Sequence, residues 1–192
     1  MRETAPAART TAETLRLVPV GFLDEDTQRL VAQVQAEYVV LYGGPDESPI
    51  EEGGFDAPAG AFFLGYVGEE PVAMGGWRRR PDVHALGARS AVEIKRMYVA
   101  PAHRRRGHGE TMLAHLEATA RAEGADVMVL ETGTEQPAAI RMYVEAGYVL
   151  TENWGHYSES PKSRCFGKPL GEQVSGRERA PALSRPRCSR GS

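Results

Sequence analysis

Between Val92 and Gly124 the sequence passes from "VEIKRMYV" through "APAHRRRGHG" into "ETMLAHLEATARAEG". The first stretch reads as a strand, although Val92 and Ile94 share one parity and Met97 and Val99 the other. A one-residue bulge reconciles the two halves. The last stretch reads as a helix, with Met112, Leu113, Leu116 and Ala120 on one face and Gly124 as its C-terminal stop. The loop between them therefore brings Arg104, Arg105, Arg106, Gly107, His108 and Gly109 to a helix N-terminus, where unpaired N–H groups face an anion. Gly107 and Gly109 lack a Cβ, so ligand oxygens can approach the backbone, and the arginines add charge and forked donors. Phosphate is the natural guest. Walker A is ruled out because Gly-Lys-Ser/Thr is missing, and a Rossmann fingerprint because Glu110, Thr111 and Met112 follow Gly109.

Composition makes that basic loop a local device. The 192 residues include 23 Lys and Arg against 26 Asp and Glu, a net charge of −3, with a sequence pI of about 6.0. A nucleic-acid binder working through Arg78 to Arg80 and Arg104 to Arg106 is disfavoured by that balance. "WRRR" at 77–80 reads as a solvated strand end. Two cysteines, Cys165 and Cys188, do not make a disulfide scaffold. With no signal-peptide pattern and no run of about 20 apolar residues, the reading is a soluble cytoplasmic protein that uses neither membrane nor nucleic acid.

Residues 1–13 and 171–192 are polar and aperiodic and read as disordered tails around one domain at 14–170. "LRLVPV" reads as a strand. Asp24 or Asp26 caps a helix carrying Leu30, Val31, Val34, Tyr38 and Leu41, which stops at Gly43-Gly44. A long loop with Asp46, Glu47, Glu51, Glu52 and Asp56 follows, and loops of that length are usually functional or mobile. "AFFLGYV" and "PVAMGGW" form a hairpin through "GEE". "VMVLE" is a strand buried on both faces, Pro137 to Ala146 a helix opened by proline, and "YVL" and "SRCFGK" two last strands. The fold class is α/β: a mixed, mostly antiparallel twisted sheet with helices packed on both faces.

Arg104, Gly107 and Gly109 spell Arg-x-x-Gly-x-Gly between strand and helix, which resembles the pyrophosphate loop of the GNAT superfamily of acetyl-coenzyme A dependent N-acetyltransferases. The resemblance covers about residues 60–170. "EIKRMYVAP" looks like the family's bulged strand, which implies that Met97, Tyr98 and Val99 bind the pantetheine arm, with an amide near Val99 as oxyanion donor. "ETGTEQPAAIRMYVEAGY" resembles the second signature, with Gln136 where Asn is commoner, Tyr143 seven positions on, and a closing "GY". "YSESPKSRCFGKPL" looks like the last strand pair of a bacterial small-molecule branch. On this reading acetyl-CoA is the cosubstrate, held also by Arg105, Arg106, His108 and Glu110, and no metal is needed.

Acetylating an amine requires its uncharged form, and an alkylammonium with a pKa near 10 must lose a proton first. Glu93, 11 residues before Arg104 like the base of the histone-acetylating branch, is the favoured base. Glu131, at the end of a strand, is the second candidate. Tyr143 is the candidate acid for the departing thiolate. In the resembling architecture the acceptor enters over the first helix, which places Glu37, Tyr42 and the acidic loop beside it. The acids suit a cationic amine. The expected partner is a small-molecule amine, with a homodimer allowed. A coenzyme A sensing domain without turnover, and acetylation of a protein N-terminus or lysine, stay open.

Overall fold

The computed structural model describes residues 14–171, so the expectations for the tails, and Cys188, lie outside the described residues. The chain runs β1 (Arg16–Val20), α1 (Glu25–Tyr42), β2 (Gly60–Val67), β3 (Glu70–Arg79), β4 (Ala91–Val99), α2 (His108–Ala122), β5 (Val127–Gly133), α3 (Pro137–Glu145), β6 (Val149–Leu150) and β7 (Ser163–Pro169). One seven-stranded sheet has the order β1-β2-β3-β4-β5-β7-β6. Every neighbouring pair is antiparallel except β4 with β5. The expected mixed sheet is therefore what forms.

Local chemistry sets the element ends. The Asp24 carboxylate accepts from the amides of Asp26 and Thr27 at 2.9 and 3.4 Å, satisfying two of the donors at the start of α1. Gly43 closes the helix at φ 84°, a conformation that costs a glycine little. Leu30 and Val34 of α1 pack with Phe55, Phe62, Leu64, Met74 and Tyr98 on one face of the sheet. Met112, Leu113 and Leu116 of α2 pack with Trp77, Val92, Ile94, Met128, Leu130 and Tyr143 on the other. Among the described residues no helix is long and apolar enough to cross a membrane.

Two features of the sheet create the site. Opposite Met74 and Gly76 stand Tyr98 and Lys95, so Arg96 and Met97 share the place of one residue, and Arg96 takes φ 57°. This is the bulge that the parity change in "VEIKRMYV" predicts. The second is a divergence. The β4–β5 register ends at Ile94 with Leu130, yet β4 continues along β3 to Val99 and β5 continues along β7 to Gly133. From Lys95 onward the two central strands part, and the backbone edge of β4 lines a gap instead of a ladder.

Candidate active site

Two cavities meet at that gap. The larger, about 1000 Å³, lies between α1, the end of β4, the start of α2 and α3. The smaller, about 470 Å³, lies between the end of α1, residues 44–48, the ends of β5 and β7 and the segment at 157–162. Tyr38 and Gln136 line both. A ligand in one cavity reaches the other past these two side chains.

The larger cavity gathers most of the residues that the glycine-bearing loop predicts. Met97, Tyr98 and Val99 form its strand wall, and Arg104, Arg105, His108, Gly109 and Glu110 its loop end. Gly107 caps α2 at φ 82°. A Cβ at Gly109 would lie 3.0 Å from the Met142 sulfur, so the opening turn of α2 faces the cavity with its backbone bare. The N–H groups and positive dipole end there suit an anion. Arg105 and Arg106 are exposed beside it, and Arg106 is not part of the cavity wall.

Arg104 departs from expectation. Its Nε donates to the Val99 carbonyl at 2.8 Å and its terminal nitrogen to both Glu37 oxygens at 2.6 and 2.8 Å, while Tyr98 donates to Glu37 at 3.0 Å. Arg104 thus ties α1 to the loop. Glu37, expected beside the acceptor, faces the larger cavity and is committed to this cluster. Its charge is spent on a cation of the same chain, which sequence spacing does not reveal.

Glu93 is the principal correction. It is 1% exposed, and Arg78 and Arg80 both donate to its Oε2, at 2.8 and 2.7 Å, while Lys95 stands 3.2 Å from Oε1. It does not line the smaller cavity. A carboxylate with both oxygens against cations and no face on either cavity is not placed to meet an acceptor. The same contacts correct the reading of "WRRR": Arg78 and Arg80 are 12% and 15% exposed and grip Glu93 instead of facing water. Arg78 and Glu93 are register partners across β3 and β4, a pairing hidden until the hairpin register is known.

Glu131 does line the smaller cavity. Burial pushes its carboxyl pKa up, opposed by the hydroxyl of Ser163, which donates to Oε1 at 2.5 Å, and by Lys95. A raised carboxyl is better matched to accepting a proton near neutral pH. Tyr143 is buried in the wall of the larger cavity, and among the described residues its hydroxyl bonds only the Met97 sulfur, at 3.9 Å. Burial raises its pKa, keeping it protonated and able to donate. Tyr42 lines the smaller cavity and accepts from Gln136 Nε2 at 3.2 Å; a Cβ at Gly133 would overlap its hydroxyl.

Sequence reasoning missed several wall residues. Tyr38, read only as part of an apolar helix face, stands at the junction, and burial together with Asp46 raises its pKa to about 12. Lys95, Ser48, Tyr157 and Ser163 were hidden because they converge from four separate segments. The acidic loop is more sharply used than its composition suggests. Gln35 clasps Asp46 with two hydrogen bonds, Tyr157 donates to Asp46 and accepts from the Glu47 amide, and Arg96 pairs with Asp46 at 3.1 Å. Asp46 and Glu47 reach the smaller cavity, whereas Glu51 and Glu52 are exposed and do not. Among the described residues no group of three or more His, Cys, Asp or Glu could hold a metal ion.

An open helix N-terminus, a bulged strand and a gap between parallel strands are the features that the GNAT resemblance implies, and comparison with known proteins agrees. The model of the acetyltransferase (GNAT) family matches residues 27–148, and the chain belongs to that family. An IAA acetyltransferase of Azospirillum brasilense is 37% identical over 78 residues, 41% of this chain and 51% of that protein. The alignment thus spans about half the length of this relative. A Klebsiella pneumoniae protein named as an acyl-CoA N-acyltransferase superposes with TM-score 0.68 at 27% identity, over 84% of this chain and 100% of the other. The Salmonella typhimurium protein yncA, named as an acetyltransferase and solved with acetyl-CoA, superposes with TM-score 0.56 at 16% identity, over 84% of this chain and 97% of its own, a likeness of fold alone.

Proposed function

We propose that the protein transfers the acetyl group of acetyl-CoA directly to a primary amine of a small polar molecule. The observation that carries this reading is the pair of cavities meeting where β4 and β5 part, one ending at the α2 N-terminus and the other holding Glu131. Family membership and the acetyl-CoA held by the yncA structure support the choice of donor.

In this reading the pyrophosphate rests on the first amides of α2 and beside Arg105 and Arg106. The pantetheine follows the free edge of β4 at Met97 to Val99, and Gln136 borders the passage to the acceptor. Glu131 takes the proton of the acceptor ammonium, directly or through water, and the Tyr143 hydroxyl returns one to the departing sulfur. An amide near Val99 stabilises charge on the thioester oxygen. Tyr42 bounds the acceptor side. Because each amine must arrive unprotonated at the thioester, the base matters more here than a nucleophilic side chain, and buried Cys165, its thiol pushed up to about 11 by burial, takes no part.

The test is release of free coenzyme A thiol from acetyl-CoA across a panel of primary amines. Amine-dependent release that drops about 10²-fold or more in Glu131→Gln is expected, given what positioned bases contribute. Binding of acetyl-CoA with no amine-dependent release would favour a sensing domain.

A further inference from the structure

The chemistry of the smaller cavity says more about the acceptor than that it is an amine. Lys95 and Glu131 occupy the first positions beyond the last β4–β5 register pair, Ile94 with Leu130, and both line this cavity. A cation and a carboxylate therefore stand opposite each other where the strands part. They are not an ion pair, since the contacts of Lys95 are Glu93 at 3.2 Å and the Ser48 hydroxyl at 3.1 Å, and Glu131 accepts from Ser163.

The carboxylate that Lys95 touches answers its charge only in part. Glu93 is shared with Arg78 and Arg80, and Asp82 is the one further anion in that cluster, bonded to Arg80. Three cations thus share two contacting anions, and the member of the cluster that lines the cavity is Lys95, whose charge Glu131 and Asp46 feel without touching it. An ammonium has three donors. The Lys95 ammonium donates to Ser48 at 3.1 Å and stands 3.2 Å from Glu93, and its side chain is 10% exposed, so an anion from the cavity would complete it at a site already largely stripped of water. Lys162 at the cavity edge adds a second cation.

Resting on the proposed transfer reaction, we infer that the acceptor carries a carboxylate close to its amine, as an amino acid does, with the carboxylate on Lys95 and the amine directed to Glu131. A cavity with acids alone would select a polyamine or simple alkylamine; a cation facing the base selects against these by repelling the ammonium from one side. Asp46 is paired with Arg96, which leaves Glu47 and Glu131 as the acids of the wall against Lys95 and Lys162.

The test measures kcat/KM for thiol release with the standard L-amino acids, their methyl esters and their decarboxylated amines. The ester amine is less basic than that of the acid and the decarboxylated amine more basic, so the two analogues bracket any effect of amine pKa. The best acid should exceed both of its analogues by about tenfold or more, the usual worth of a hydrogen bond to a charged group. In Lys95→Met that acid-to-analogue ratio should collapse towards one, and in Lys95→Arg it should persist. The ratio is internal to each variant, so a general loss of folded protein does not move it; Glu93 also keeps Arg78 and Arg80 when Lys95 is replaced. Analogues consumed as fast as the acids, or a ratio unmoved in Lys95→Met, would overturn the inference while leaving acetyl transfer intact. No thiol release with any acid, ester or amine brings down the transfer reaction and the inference together.

Discussion

At the scale of single residues, the two glutamates separate by their surroundings. Glu131 has a raised carboxyl facing the smaller cavity, so activity limited by it should rise with pH through that elevated pKa as the carboxylate forms. In Glu131→Gln this acidic limb of the kcat/KM profile should vanish along with most of the rate; a retained limb would assign it to another group. Glu93→Gln should act on stability instead. It leaves Arg78 and Lys95 without their carboxylate and Arg80 with Asp82 alone, and breaking such a buried arrangement costs about 3–5 kcal/mol, read as a lower midpoint in urea. Tyr143→Phe is the converse, because a hydroxyl touching only a methionine sulfur contributes little to folding. Its kcat should fall about 10²-fold with the unfolding midpoint nearly unchanged. The sequence named Glu131 and Tyr143 but ranked Glu93 first, because spacing along a strand says nothing about which cations the neighbouring strand supplies.

At the scale of elements, what the sequence expressed well was whatever depends on near neighbours. The Asp24 cap, the Gly43 stop, the "GEE" turn and the parity change at the bulge are all local and all appear in the fold. What it could not express was convergence. The smaller cavity takes walls from α1, β4, β5, β7 and three loops, and the hydrogen bonds that fix residues 46–48 come from Gln35, Tyr157 and Lys95. The span 44–60, readable from composition only as an acidic loop, is a clasped wall in its first part. Helix α2 does two jobs, and they can be separated. Its Leu116 is fully buried against the sheet, so Leu116→Ala should cost about 2–5 kcal/mol in chemical denaturation, while the α2 N-terminus keeps its ligand wherever the protein stays folded.

For the whole molecule, carboxylates of opposite tendency shape stability against pH. Hydrogen bonds from Arg80 hold Asp82 down to about 2. Burial pushes Asp126 and Asp46 up, but the amides of Arg89 and Ser90 outweigh it at the first, and Ser48 with Arg96 at the second, so both end lowered. Lowered groups stabilise the fold above their unfolded value near 4 and release that stability as pH falls through the folded one. Glu131 has the reverse sign, since its raised pKa means that protonation favours the folded state. Thermal midpoints should therefore drop steeply from about pH 4 towards about 2, and Glu131→Gln should raise the midpoint at pH 7. A lower midpoint for Glu131→Gln at pH 7 would contradict the raised pKa.

If acetyl-CoA lies along the β4 edge with its pyrophosphate on the α2 N-terminus, as proposed, thermal unfolding with and without acetyl-CoA will report it. At about 100 times its Kd the ligand should stabilise the protein by about 2.7 kcal/mol. Gly109→Glu, which sets a side chain against Met142 and a negative charge at the anion site, should abolish that shift while the unliganded protein still unfolds cooperatively. An equal shift in both proteins would place the ligand elsewhere, and no shift in the unaltered protein would contradict the account.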